Sequence, residues 1–234
     1  ISPGGPGGGP REQVLPDGRV FKGPSGLACL RPDIEIPVRQ TADITAADGT
    51  VDPAWEKEKT TDTEINKWAD LFELRTFEDI EYNIYIPENY DPAKKYPLVM
   101  FIHDAGTSGT DHRITLEQGI GATVFASPES QKKHPCIVVA PQHAKFYPIA
   151  NDNYWCFDDE HTYKRLIDSL QQEFSVDADR IYLTGQSMGF MTSLQLMIDY
   201  PDYFGGALLP AGHWDIEKTA GLWTQNIWMF LSEP

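Results

Sequence analysis

Ser187 stands in Gly185-Gln186-Ser187-Met188-Gly189, with the apolar run Ile181-Tyr182-Leu183 before it and a helical pattern through Leu194, Leu196, Met197 and Ile198 after it. A serine at a sharp strand-to-helix corner is exposed as a nucleophile. Glycine on either side spares the strained backbone from side-chain clashes. The start of the following helix supplies unpaired amide hydrogens and the positive end of a dipole, which suit the negative charge of a tetrahedral intermediate. The chemistry this points to is acyl transfer, with the Met188 N–H as one oxyanion donor. A second donor must come from another loop at the same sheet edge, and His103-Asp104-Ala105-Gly106 follows the apolar run 98–102. A nucleophilic serine also needs a histidine to take its proton and an acid to orient that histidine. The only histidine after Ser187 is His213.

The elements that must position these residues follow from periodicity. Ile80, Tyr82, Ile84 and Ile86 alternate with Glu81, Asn83 and Tyr85, which predicts a strand with one covered face, ended by Pro87. The runs 98–102 and 136–140 are continuous and apolar, as in parallel strands covered on both faces. Runs 181–184, 207–209 and 227–231 predict three more strands. Tyr163, Leu166, Ile167, Leu170 and Phe174 form one stripe of a helix over 159–174. Strands alternating with amphipathic helices imply crossover connections and a mostly parallel sheet flanked by helices, an α/β architecture.

Composition narrows the function classes. The 234 residues carry 35 acidic and 19 basic side chains, a formal charge of −16. Phosphate binding needs clustered Lys and Arg, so nucleic acid is not expected as a partner. The run 98–102 falls far short of the roughly 20 apolar residues of a membrane-spanning helix. Three cysteines, Cys29, Cys136 and Cys156, fit neither a disulfide framework nor a zinc site, leaving at most one bridge and a free thiol. Eight of the first ten residues are Gly or Pro, which reads as a linker over 1–10. Residues 11–73 form a leader with turns at Asp17-Gly18 and Asp48-Gly49, a short strand at Ile34-Glu35-Ile36 and a helix over 61–72 carrying Ile65, Trp68, Leu71 and Phe72. This leader is expected to pack on the domain that begins at 74.

Three blocks in order, YNIYIPENYDPAKKYPLVMFIHDAGTSGTD, HPCIVVAPQ and DADRIYLTGQSMG, resemble secreted α/β-hydrolase esterases related to polyhydroxybutyrate depolymerases and feruloyl esterases. The resemblance covers about 77–231. It implies an α/β-hydrolase fold, a serine esterase with no cofactor and no metal, and an ester substrate. By position, Ala105 is the second backbone oxyanion donor. The family has glycine where this chain has Asp104, a carboxylate that would oppose a developing oxyanion unless it points away. His103 is read as a histidine that orders the loop.

The family pattern places its acid and histidine beyond Pro234, so the hydrolase domain over 74–234 is read as incomplete. His213 is taken as a substrate-contacting or solvated loop histidine, and as a substitute base only second. His143 and His161 are expected at the surface or pocket rim. Phe146, Tyr147, Tyr154, Trp155 and Phe157 gather at the carboxyl edge of the sheet, where α/β ligands bind. Trp155 resembles the family tryptophan in this loop, placed either to wall the acyl or aromatic group of an ester or simply to pack the loop, and Asp104, Trp155 and His213 are the candidate substrate contacts. Asp158, Asp159 and Glu160 read as a helix start. Ester hydrolysis, with aromatic or carbohydrate-linked esters as substrates and a secreted or periplasmic location, is the leading reading. A serine peptidase, or a non-catalytic carbohydrate-binding or scaffold protein of the same fold, are the alternatives.

Overall fold

The computed structural model describes residues 67–145 and 147–231, preceded by an antiparallel ribbon of β1 (Arg11–Val14) and β2 (Val20–Gly23). The linker 1–10, the turns at Asp17-Gly18 and Asp48-Gly49, the expected strand at 34–36, Cys29 and Phe146 lie outside the described residues.

The alternating and continuous apolar runs become one seven-stranded sheet. Its strands are β3 (Glu73–Phe77), β4 (Ile80–Tyr85), β5 (Tyr96–Ile102), β6 (Ile137–Gln142), β7 (Val176–Gly185), β8 (Gly206–Pro210) and β9 (Ile227–Phe230). The order across the sheet is β3-β4-β6-β5-β7-β8-β9. The first two junctions are antiparallel and the other four parallel. Mostly parallel strands with helices packed on both faces make this the α/β architecture expected from the sequence.

Helices α1 (Ile114–Glu117), α2 (Thr123–Ala126) and α3 (Pro128–Lys133) are short. Helices α4 (Glu160–Glu173) and α5 (Met188–Asp199) are the long crossovers. One face of the sheet, with Leu98, Met100, Ile102, Ile137, Val139, Ile181 and Leu183, packs on Tyr163, Leu166, Ile167 and Leu170 of α4 and on Met191 and Leu194 of α5. The other face, with Phe101 and Ala140, packs on Leu116, Ala122 and Ala69. Burying one such aliphatic side chain contributes about 1.5–3 kcal/mol, so these two layers hold the strand ends in register for the site.

Several expectations change. Residues 67–69 are helical, but the turn ends before Leu71, which is exposed, while Ala69 is buried against Phe101. Asn83 was expected on an open strand face and is buried instead, because the loop before α1 crosses it: its side-chain amide donates to His112 O (2.8 Å) and Ala140 O (3.4 Å). Cys136 and Cys156 are free thiols, so they do not pair with each other. On β8 and β9 the outward side chains Leu208, Trp228 and Phe230 are exposed. A groove of about 510 Å³ runs beneath them along Val99, Phe125, Tyr182 and Leu208, on the face away from α5.

Candidate active site

Ser187 ends the crossing from β7 into α5 with φ 53° and ψ −114°. That left-handed backbone costs an L-residue of order 1–3 kcal/mol, so the surroundings must impose it. They do so at both ends. The Ser187 N–H donates to Ala211 O (3.0 Å), and the Ser187 carbonyl accepts from the Met191 N–H (3.1 Å) as α5 begins. The elbow is pressed against the end of β5. A β-carbon on Gly185 would stand 2.3 Å from Ile102 O, and one on Gly189 1.9 Å from the same atom. Both positions therefore require glycine because of close backbone approach. Ser187 itself is exposed, and among the described residues no side chain hydrogen-bonds its hydroxyl.

The loop leaving β5 lies beside this corner. Ala105 opens a short 3-10 turn, Ala105–Thr107, and Met188 opens α5. Each is the first residue of its helix, where an amide hydrogen has no partner inside the element. Among the described residues neither amide has an acceptor. The structure thus brings together the two segments that carry Ser187, Met188 and Ala105.

Asp104 is turned onto donors of the protein itself. One carboxylate oxygen accepts from the Thr107 N–H (3.1 Å) and the other from the Gln186 side-chain amide (3.0 Å). The Asp104 N–H donates to Gln118 Oε1 (3.2 Å). His103 is fully buried. Its Nε2 accepts from the His143 N–H (2.9 Å), which leaves the proton on Nδ1 to be donated to Asp104 O (2.6 Å). Burial pushes the His103 imidazole below its usual range. A neutral ring with both nitrogens engaged orders the loop and has no lone pair free for Ser187.

His143 corrects an expectation: it is buried, not on a rim, with its ring held by Tyr147 O (2.6 Å) and its protonation opposed by burial. Gln142 was missed altogether. Its side-chain amide donates to Thr107 O (2.8 Å) and Gly109 O (2.9 Å), and its carbonyl accepts from the Thr115 hydroxyl. The signal available for it was its place at the end of the HPCIVVAPQ block, where a strand's carboxyl end meets the site loops.

His213 follows the Ala211 carbonyl that anchors Ser187. It is half exposed, lies 3.4 Å from an Asp152 carboxylate oxygen and meets the edge of Tyr154 at 5.7 Å. Trp155 is 61% exposed and touches Phe157 edge-on at 6.3 Å. The Lys218 ammonium reaches Tyr154 O (2.6 Å), tying this aromatic loop to the segment after β8. The large sheet-face groove is not lined by Ser187, Ala105 or Met188.

One set of three metal-ligating groups occurs among the described residues: Glu160, His161 and Asp199. It sits at the far end of the 12-residue α5, about 18 Å of helix from Ser187. Glu160 accepts from the Cys156 thiol, and burial pushes its carboxyl up to about 8, while the Tyr200 hydroxyl and His161 Nδ1 share a hydrogen bond (2.8 Å).

Comparison with known proteins matches this frame. Residues 75–232 fit the family described as "Putative esterase". The chain belongs to this esterase family of α/β-hydrolases. A crystal structure of a thermostable esterase superimposes with a TM-score of 0.66 and 31% identity, over 70% of this chain and 47% of the other. Poly(3-hydroxyalkanoate) depolymerase C of Paucimonas lemoignei is 25% identical over 128 residues, half of this chain and 28% of that protein. The chain therefore spans less than half the length of either relative.

Proposed function

We propose that the protein hydrolyses carboxylic esters through an acyl-enzyme formed on Ser187. The observation that carries this reading is the exposed Ser187 at φ 53°, set between two segments whose leading amides, Ala105 and Met188, have no acceptor among the described residues. The Ser187 oxygen attacks the ester carbonyl, and the oxygen of the tetrahedral adduct takes its hydrogen bonds from Ala105 and Met188. Collapse expels the alcohol, which leaves with the proton taken from Ser187, and water then repeats the attack on the acyl group. The proton is carried between these groups by a histidine that an acid orients.

For the substrate, exposed Trp155 with Tyr154 and Phe157 beside it supports an ester with a flat aromatic or sugar-linked portion. His213, edge-on to Tyr154, borders the same region as a contact to the substrate, while the Asp104 carboxylate, held by Thr107 and Gln186, is not taken as one. No helix of the described residues is long and apolar enough to cross a membrane. A secreted or periplasmic enzyme, acting on esters rather than on nucleic acid, is the reading we favour.

Hydrolysis of p-nitrophenyl acetate and of methyl hydroxycinnamates by the full-length protein tests this. Ser187→Ala should lower turnover by at least about 10³-fold, with no release from peptide p-nitroanilides by either form. Equal ester rates for the two forms would refute the nucleophile, and peptide cleavage dependent on Ser187 would make the protein a peptidase.

A further inference from the structure

We infer that Asp104 is a positioning residue: its hydrogen bond to Gln186 sets the distance between the two oxyanion donors. The inference rests on the esterase reading and goes further, because it assigns a task to the residue that replaces glycine in the resembling family.

Asp104 immediately precedes Ala105, and Gln186 immediately precedes Ser187 and Met188. The 3.0 Å bond between their side chains crosses from the β5 loop to the elbow, 82 residues apart in sequence, one residue from each part of the reacting centre. The second carboxylate oxygen holds the Thr107 N–H, which closes the 3-10 turn that Ala105 opens. The Asp104 N–H is held by Gln118. Every polar group of the residue, apart from the carbonyl that receives the His103 ring and the Thr107 hydroxyl, is thereby committed to fixing the loop. A carboxylate free to turn toward the Ala105 amide would oppose the oxyanion electrostatically. Here both of its oxygens face protein donors, so its charge is spent on geometry. Oxyanion stabilisation depends on donors already in place when the charge develops, so a strut of this kind acts on the chemical step more than on substrate binding.

Three variants of the full-length protein separate this role from a merely structural one. Gln186→Ala removes the strut and leaves the Thr107 cap. Asp104→Ala removes both. Asp104→Asn keeps an acceptor for Thr107 and, with the Gln186 amide turned over, a donor for Gln186, while deleting the charge. The expected result with p-nitrophenyl acetate is that Gln186→Ala and Asp104→Ala each lower kcat about 10- to 100-fold, less than the 10²–10³-fold loss of a whole donor. KM should stay within about twofold, and Asp104→Asn should recover most of the loss. The double alanine variant should be no slower than Asp104→Ala, as for two residues sharing one interaction.

Unchanged or raised kcat in Asp104→Ala would mean that the charge opposes catalysis and the strut does nothing; failure of Asp104→Asn to recover would equally overturn the proposal. Amide hydrogen exchange across residues 104–108 gives a readout independent of turnover. It should quicken at least tenfold in Gln186→Ala, and no change there would overturn the strut even if Ser187-dependent hydrolysis is confirmed. Quickened exchange in a protein without such hydrolysis would instead leave the strut standing and remove the esterase reading.

Discussion

A β-carbon on Gly189 would lie 1.9 Å from the carbonyl oxygen of Ile102, so the first turn of α5 rests directly on the end of β5. This contact places the serine corner and the loop after β5 side by side. Gly189→Ala should therefore destabilise the fold by about 3 kcal/mol, the upper part of the usual cost of overpacking, because the obstacle is backbone and cannot rotate aside. Urea unfolding should show a lower midpoint with an unchanged slope. A midpoint within 0.2 M of wild type would show that the elbow is not seated on β5.

His103 and its neighbour His143 are both held below the ordinary imidazole range by burial. The unfolded chain then binds protons that the folded one refuses, so their contribution is complete above about pH 6.5 and is lost as the pH falls below it. His103→Gln keeps an acceptor for the His143 N–H but cannot titrate. Its stability should be lower than wild type at pH 7.5, and its decline between pH 6.5 and 5 shallower. Parallel wild-type and variant curves over that window would contradict the neutral, buried assignment.

Glu160 carries the opposite sign. Its carboxyl is raised from 4.5 to about 8, first by burial and then by the nearby Asp199 and Asp158. The folded chain holds a proton that the unfolded one has released, so stability declines as the pH climbs from about 4.5 through 8. Glu160→Gln should be more stable than wild type at pH 9 and differ little at pH 4, as read from thermal midpoints. A variant that is no more stable at pH 9 would show that Glu160 is ionised without strain.

Trp155 is mostly exposed, so Trp155→Ala should change stability by no more than about 0.5 kcal/mol. If it walls the substrate, the same change should raise KM for hydroxycinnamate esters about two- to tenfold and leave acetate esters unaffected. An equal change for both substrates would remove Trp155 from the aromatic subsite.

The sheet was legible wherever residues are buried on a regular period. The apolar runs at 98–102, 181–184 and 207–209 fall within strands, those at 136–140 and 227–231 overrun theirs by one residue, Cys136 and Leu231, and the stripe from Tyr163 to Leu170 faces the core. Helices α1, α2 and α3 were not legible, since four to six residues are too few to show a helical period. Strand β3 was missed because three of its five residues are exposed, leaving only a weak alternation. At the site, Ser187 announces itself through flanking glycines whose need is steric. The direction in which Asp104 points could not be read, because its partners Gln186, Thr107 and Gln118 are brought together only by the fold. The burial of His143 was hidden for the same reason, as one histidine after a strand reads alike in a core or on a rim.

The most direct test of the central claim is covalent labelling of the folded, full-length protein with a fluorophosphonate probe, with the modified peptide located by mass spectrometry. An activated serine at this corner predicts a single adduct on Ser187, lost in Ser187→Ala. No adduct, or one that persists in Ser187→Ala, would contradict it.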